Sequence, residues 1–183
     1  MIVLIVGPSG VGKTTSYLNA QSQFPDVVFH HLDGLAARWA MQKGIINRES
    51  VTLLNRTVND AELFLSIGLL AIGNLEGERL GRHVVIDMGA GFQVARTAAQ
   101  LHRICRVITI TADVEVAYNR ISKARDDSRT LDEYQQQEFS PNRVAVYRSA
   151  HHTIDSSRQS QDQTAGELID VLRQIFEAKS SPI

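Results

Sequence analysis

The 183-residue chain has a single cysteine, Cys105, so it builds neither an intrachain disulfide framework nor a cysteine-based zinc site. That economy fits a reducing compartment, and a cytoplasmic protein is expected. Charge of one sign is lacking as well. Nineteen Lys and Arg against twenty Asp and Glu leave a formal net charge of −1, which gives no general attraction to nucleic acid or to an anionic membrane. Without a basic stripe, neither DNA nor RNA is expected as a partner.

Long hydrophobic runs are missing too. Beyond the N-terminal strand, the longest apolar stretch, Leu63 to Leu75, is interrupted by Ser66, Gly68, Gly73 and Asn74 and is too short to span a bilayer. No membrane partner is expected. The apolar N-terminus carries no basic leader and no small-residue cleavage site, so it reads as structure rather than as a targeting segment. Repeats and low-complexity tracts are absent, and only Lys179 to Ile183 reads as a loose tail. With 43% hydrophobic and 21% charged residues, the chain reads as one domain over 1–183, large enough to bury a core without disulfides or metals.

What is present is a phosphate-binding signature. Gly7-Pro8-Ser9-Gly10-Val11-Gly12-Lys13-Thr14-Thr15 fits G-x-x-x-x-G-K-S/T at every fixed position. The apolar run Ile2 to Val6 precedes it as a buried strand should, and Ser16 to Gln23 continues it as a helix. Glycines free the backbone to turn successive N–H groups onto a phosphate, and the new helix adds its free N–H groups and positive dipole end. Lys13 is expected on the β/γ-phosphates and the hydroxyl of Thr14 on Mg²⁺. ATP and Mg²⁺ are therefore the expected ligands.

Further along, Val27 to His31 reads as a second strand, ending at Leu32-Asp33-Gly34, and Leu35 to Lys43 as a helix closed by Gly44. Glu49 to Glu78 is mostly helical in pattern, with Gly68 and Gly73 as points where it could break. Val84 to Asp87 is a third strand, followed by a turn at Gly89-Ala90-Gly91 and a helix over Phe92 to Leu101. Val107 to Thr111 is a fourth strand, Val114 to Lys123 a helix behind Asp113, and Lys123 to Gln137 a polar, mobile segment that turns helical at Leu131. A helix over Val144 to Ala150, a last strand His152 to Asp155 and an amphipathic helix Ala165 to Ala178 complete the chain. This alternation predicts an α/β, three-layer P-loop fold with a five-stranded parallel sheet and helices on both faces. Ligands of such sheets bind at the carboxyl ends of the strands, where Asp33, Asp87, Gly89 and Thr111 fall.

Each candidate has a bland reading beside the functional one. Asp33 can orient or deprotonate an acceptor hydroxyl, or cap the helix after it. Asp87 can hold the Mg²⁺ shell in the manner of a Walker-B acid, or shape the turn at Gly89. Arg120, Lys123, Arg125 and Arg129 are a lid cluster or a solvated helix face. Arg143 is an anion clamp or half of a surface pair. His30 and His31 point to opposite faces of a strand and do not form a zinc site together, and Trp39 is core or a pocket wall.

The order of these features resembles the shikimate kinase family, small P-loop kinases built like nucleoside monophosphate kinases. The resemblance implies a lid over about 123–137 and specific roles. His31-Leu32-Asp33 keeps the second of the family's two acids, the one on the acceptor hydroxyl, and Gly89-Ala90-Gly91 stands for its glycine-rich substrate loop. Arg120 resembles the arginine over the adenine, and Ser156, in Ile154-Asp155-Ser156-Ser157, falls in a segment that lies near it. Arg129 resembles the lid arginine on the transferring phosphoryl group, and Arg143, in Arg143 to Arg148, the arginine of an R-x-x-L-Y-R segment that touches substrate. The chain also departs from the pattern. His31 replaces the first acid, Ala90 the middle glycine, and Asn59-Asp60-Ala61-Glu62 lacks the acceptor-clamping arginine, with Arg56 one turn earlier.

The expected function is transfer of the γ-phosphate of ATP to a small hydroxylated acceptor other than shikimate. A regulatory ATPase that has lost its acceptor and binds a protein partner is the alternative. A nucleoside monophosphate kinase ranks third, because the loop G-P-S-G-V-G-K-T also resembles that of guanylate kinases.

Overall fold

In the computed structural model, which describes residues 1–58, 61–78, 82–89, 101–125 and 128–178, five strands form one sheet. They are β1 (Ile2–Val6), β2 (Val28–His31), β3 (Val84–Asp87), β4 (Cys105–Thr111) and β5 (His152–Asp155), all parallel and ordered β2-β3-β1-β4-β5. Every residue of β1 and β3 is buried, which explains why they read as apolar runs up to Asp87: helices cover both faces of the sheet.

The side chains of β1 alternate between two cores. Ile2, Leu4 and Val6 pack with residues of α2 (Leu32–Gln42), α3 (Val51–Thr57), α4 (Ala61–Glu78) and α7 (Pro141–Arg148). Val3 and Ile5 pack on the other face with α1 (Lys13–Gln23), α5 (Val114–Arg125), α6 (Leu131–Glu138) and α8 (Gln161–Glu177). The register brings strand ends together: Ile5 opposite Asp87, Val6 opposite Thr109, His31 opposite Asp87 and Thr111 opposite Asp155. Among the described residues, no helix is long and apolar enough to cross a membrane.

Several boundaries differ from the sequence expectation for local reasons. Helix α2 starts directly at Leu32, with His31 as an extended N-cap that makes no side-chain cap bond. Asp33 therefore lies in the first turn and is not the cap, because its carboxylate is turned against Gly89 of the neighbouring strand end. Gly68 and Gly73 do not break α4, whose Ile67, Ala71 and Ile72 are buried in the core; the break comes earlier, where Val58 leaves α3 extended. Helices α6 and α8 begin with capping boxes, Thr130 with Glu133 and Ser160 with Gln163, so α8 starts ahead of the expected Ala165. Ala90, Gly91, most of the helix expected over Phe92 to Leu101, two residues of the expected lid and the C-terminal tail lie outside the described residues.

Candidate active site

The phosphate loop connects β1 to α1, and its glycines are fixed by their surroundings. Gly10 has φ +84°, and a Cβ there would lie 2.1 Å from the backbone oxygen of Ala117 in α5, so only glycine lets the loop pack this close. Lys13 folds over the loop, donating from Nζ to the carbonyls of Gly7 and Pro8 at 2.7 Å each. Thr14 is exposed beside it in the first turn of α1.

On the β5 side the polar groups are paired. Ser156 is buried, and its hydroxyl lies 3.0 Å from the carbonyls of both Val11 and Thr111. Arg120 donates to Ser156 Oγ at 3.1 Å, to its carbonyl at 2.9 Å and to the carbonyl of Gln159 at 3.2 Å. This holds the guanidinium at the wall of the cavity.

On the β2–β3 side the groups are acidic and less satisfied. Asp87 is buried; one oxygen is 3.3 Å from Nδ1 of the half-exposed His31, and the other, Oδ1, has no hydrogen-bond partner among the described residues. Asp33 lies so close to Gly89 that a Cβ on that glycine would sit 2.8 Å from Oδ1 of the carboxylate. Burial pushes the Asp33 carboxyl above the usual aspartate value, the charge of Asp87 adds to this, and His31 works against it. Burial and Asp87 together push the Tyr17 phenol, whose ring lies 4.6 Å from that of His31, up to about 12.

These residues enclose one cavity of about 420 Å³, lined by Ser9 to Thr15, His31, Asp33, Asp87, Gly89, Arg120, Ile121, Ala124, Gln159, Gln161 and Thr164. Of the predicted set, Gly7 and Pro8 stand behind the loop as acceptors for Lys13, and Ser156 stands behind Arg120. Trp39 packs against the core.

Arg129 and Arg143 do not line the cavity. Both turn to Glu138, which sequence reasoning missed. Glu138 is 4% exposed, and each of its oxygens takes one serine donor and one arginine. Oε2 accepts from Ser9 N at 3.1 Å and lies 2.9 Å from Nη1 of Arg143; Oε1 accepts from Ser9 Oγ at 3.1 Å and lies 3.4 Å from Nη1 of Arg129. Burial alone would push this carboxyl up, but Arg143, then the N–H and hydroxyl of Ser9, and Arg129 outweigh it and hold it below the usual glutamate value. Tyr134, one turn before Glu138, donates its hydroxyl to the Ser9 carbonyl. The available signal was the i,i+4 pair Tyr134 and Glu138 on a helix otherwise polar, which marks a face turned inward.

Residues 71–173, more than half of the chain, match the family model described as shikimate kinase. None of the curated proteins compared with the chain matches it. Among solved structures, shikimate kinase from Bacteroides thetaiotaomicron superposes with a TM-score of 0.68 at 15% identity, over 94% of this chain and 98% of that one. The Aquifex aeolicus shikimate kinase gives 0.66 at 15% identity, covering 95% and 97%. Shikimate kinase from Acinetobacter baumannii in complex with shikimate gives 0.60 at 20% identity, covering 99% and 95%. At these identities the likeness is one of fold.

Proposed function

The chain belongs to the shikimate kinase family, and from that premise we propose an ATP-dependent phosphotransferase whose hydroxylated acceptor is not shikimate. The observation that carries this reading is the cavity itself. It joins the phosphate loop and Lys13 to an acceptor end made of Asp33, Asp87, His31 and Gly89, with Arg120 at the opposite wall. Phosphoryl transfer asks the protein mainly for positioning and for positive charge around the γ-phosphate.

Lys13 moves from the loop carbonyls to the β/γ-phosphates of ATP, and the loop N–H groups cradle the chain of phosphates. Arg120, held by Ser156 and Gln159, flanks the base. Asp33 takes the proton of the acceptor hydroxyl as its oxygen attacks the γ-phosphorus and the bond to the β,γ-bridging oxygen breaks to release ADP, and its raised pKa makes it a better base for that step. Mg²⁺ fits the donors present, since Asp87 brings a buried oxygen without a partner and Thr14 an exposed hydroxyl in the same cavity. Bound there, the ion supplies charge neutralisation on the phosphates. In this reading Gly89 opens the acceptor loop, which Ala90 and Gly91 continue in sequence, and Arg129, 3.4 Å from Glu138 Oε1, adds charge toward the γ-phosphate.

The different acceptor rests on Arg143. Its charge is taken up by Glu138 at 2.9 Å, so it is not free to clamp a carboxylate in the cavity. The same observation favours a second reading, a regulatory ATPase that answers to a protein partner. Coupled ADP release from ATP·Mg²⁺ separates them, measured with and without shikimate, gluconate, nucleosides, nucleoside monophosphates and phosphorylatable antibiotics, with Lys13→Ala as control. Turnover stimulated many-fold by one compound other than shikimate, and lost in the control, supports the kinase. Flat turnover across the panel with tight nucleotide binding moves the assignment to the ATPase, and stimulation by shikimate itself overturns the claim of a different acceptor.

A further inference from the structure

Helix α6 grips the tip of the phosphate loop from both sides. Its residues Tyr134 and Glu138 are four apart and share its buried face. Between them they engage every polar atom of Ser9: Tyr134 donates to the carbonyl, while Glu138 accepts from the amide and the hydroxyl. The other valences of the same carboxylate go to Arg129 and Arg143, and the Tyr147 hydroxyl donates to the Glu138 carbonyl at 3.1 Å. One buried acid thus ties the phosphate loop to α7 and to two arginines that arrive from separate segments.

We propose that Glu138 is a positioning residue, which sets the tip of the phosphate loop and the Arg129 guanidinium as one unit for the γ-phosphate. The inference rests on the kinase reading above and deepens it. A carboxylate that only stabilised the fold would need no link to Ser9, which lines the nucleotide cavity while Glu138 stands behind it. A buried acid that accepts from three donors and pairs with Arg143 is also rigid, since releasing any one leaves charge without compensation in a poorly solvated place. Among the described residues, no hydrogen bond or ion pair joins Glu138 to the later loop residues Gly10 to Thr15.

The consequence is a selective defect. Glu138→Gln keeps size and one acceptor but removes the charge shared by both arginines, leaving Arg129 its hydrogen bond to Gln137 Oε1 at 2.9 Å and its place over the Tyr134 ring. The test compares the dissociation constants of ADP and of a non-hydrolysable imido analogue of ATP, each with Mg²⁺, by titration calorimetry. In Glu138→Gln the preference for the triphosphate analogue over ADP should drop by about fivefold or more, the effect of losing one charge-assisted contact, with ADP affinity nearly kept. Glu133→Ala removes the exposed capping box of the same helix and should lower the melting temperature without changing that preference.

An unchanged or increased preference in Glu138→Gln overturns the proposal. Should that variant not fold, Ser9→Ala decides the matter, because it deletes only the hydroxyl contact to Oε1. A drop in preference of about twofold or more is then expected, and no drop overturns the proposal. Failure of the kinase reading looks different: the unaltered protein would bind neither nucleotide, or would turn over no acceptor while both variants behaved as stated.

Discussion

The two ends of the cavity are built to different standards. At the nucleotide end the backbone fits close enough to forbid a Cβ at Gly10, and Ser156, Arg120 and Gln159 satisfy one another. At the acceptor end Asp87 keeps a buried oxygen without a partner, and Asp33 bears a carboxyl whose charge is disfavoured by burial and by its neighbour. A buried polar atom left unpaired costs about 1–3 kcal/mol. Around Arg120 the proposed nucleotide end is satisfied, although Ser16 Oγ in α1 is buried without a partner among the described residues; the proposed acceptor end leaves a carboxylate oxygen unpaired that a bound group would satisfy. A generic ligand can be met by fixed backbone; a specific one is met by side chains held short of satisfaction.

The hardest blow to the nucleotide end is Lys13→Ala. It removes the cation of the phosphate loop, and turnover should fall by about a thousandfold or more, in the range seen for groups that offset charge in phosphoryl transfer. Coupled ADP release measures it, and residual turnover within tenfold of normal would mean that the loop is not where ATP reacts.

Asp33→Asn strikes the acceptor end and sharpens the contrast, because activity and stability should move in opposite directions. Acceptor-dependent turnover should fall by about 10²–10⁴-fold, as expected for loss of a general base, while ADP binding stays. The sign for stability follows from the raised pKa: ionised Asp33 destabilises the fold, and this penalty grows as pH rises through the folded pKa. The asparagine variant should therefore melt at a higher temperature at neutral pH. A lower melting temperature would show that the carboxylate is needed by the fold.

How much of this was legible in the sequence follows the same division. The loop from Gly7 to Thr15 was readable because its function is written in backbone freedom, which glycine spacing reports directly. Strands β1 and β3 were readable because burial on both faces demands continuous apolar runs, whereas the edge strands β2 and β5 are only partly buried. The meeting of Asp33 and Gly89 at the carboxyl ends of the strands was readable too, but not their direct contact, which joins α2 to the end of β3 across more than fifty residues. Glu138 was hidden for a like reason. Its partners Ser9, Arg129 and Arg143 are set by how α6 docks, and an acid in a polar helix reads as a solvated face until the docking is known.

Two substitutions probe the join between the ends at smaller scale. Gly89→Ala adds a methyl 2.8 Å from the Asp33 carboxylate, which must swing aside. Acceptor-dependent turnover should fall by about tenfold with ADP affinity unchanged, the size expected when a positioned group moves by about an ångström or less; equal loss of both would erase the boundary between the ends. Glu138 makes a statement about pH. Its folded pKa is depressed, so its contribution to stability is present above the unfolded value and is lost as pH falls through the folded one. On acid titration from pH 6 downward, Glu138→Gln should lose stability less steeply than the unaltered protein below the ordinary glutamate range, and parallel curves would deny the carboxylate its ion pairs.

The smallest expected effect separates scaffold from site at the back of the nucleotide end. Ser160 Oγ accepts from Gln163 N at 3.2 Å, and the Gln163 side chain accepts from Ser160 N at 2.8 Å, closing the N-terminus of α8. Gln159 and Gln161, on either side of this serine, line the cavity, but Ser160 does not. Ser160→Ala should cost about 1 kcal/mol, the usual loss for an N-cap, and lower the melting temperature by about 2–4 °C. ADP affinity should hold within about twofold, because the nearby cavity wall is fixed independently through Arg120, Ser156 and the bond from Thr164 to the Gln159 side chain at 3.0 Å. If ADP binding weakens along with the melting temperature, the start of α8 is part of the nucleotide site, and the completeness of that end depends on a helix cap as much as on the loop.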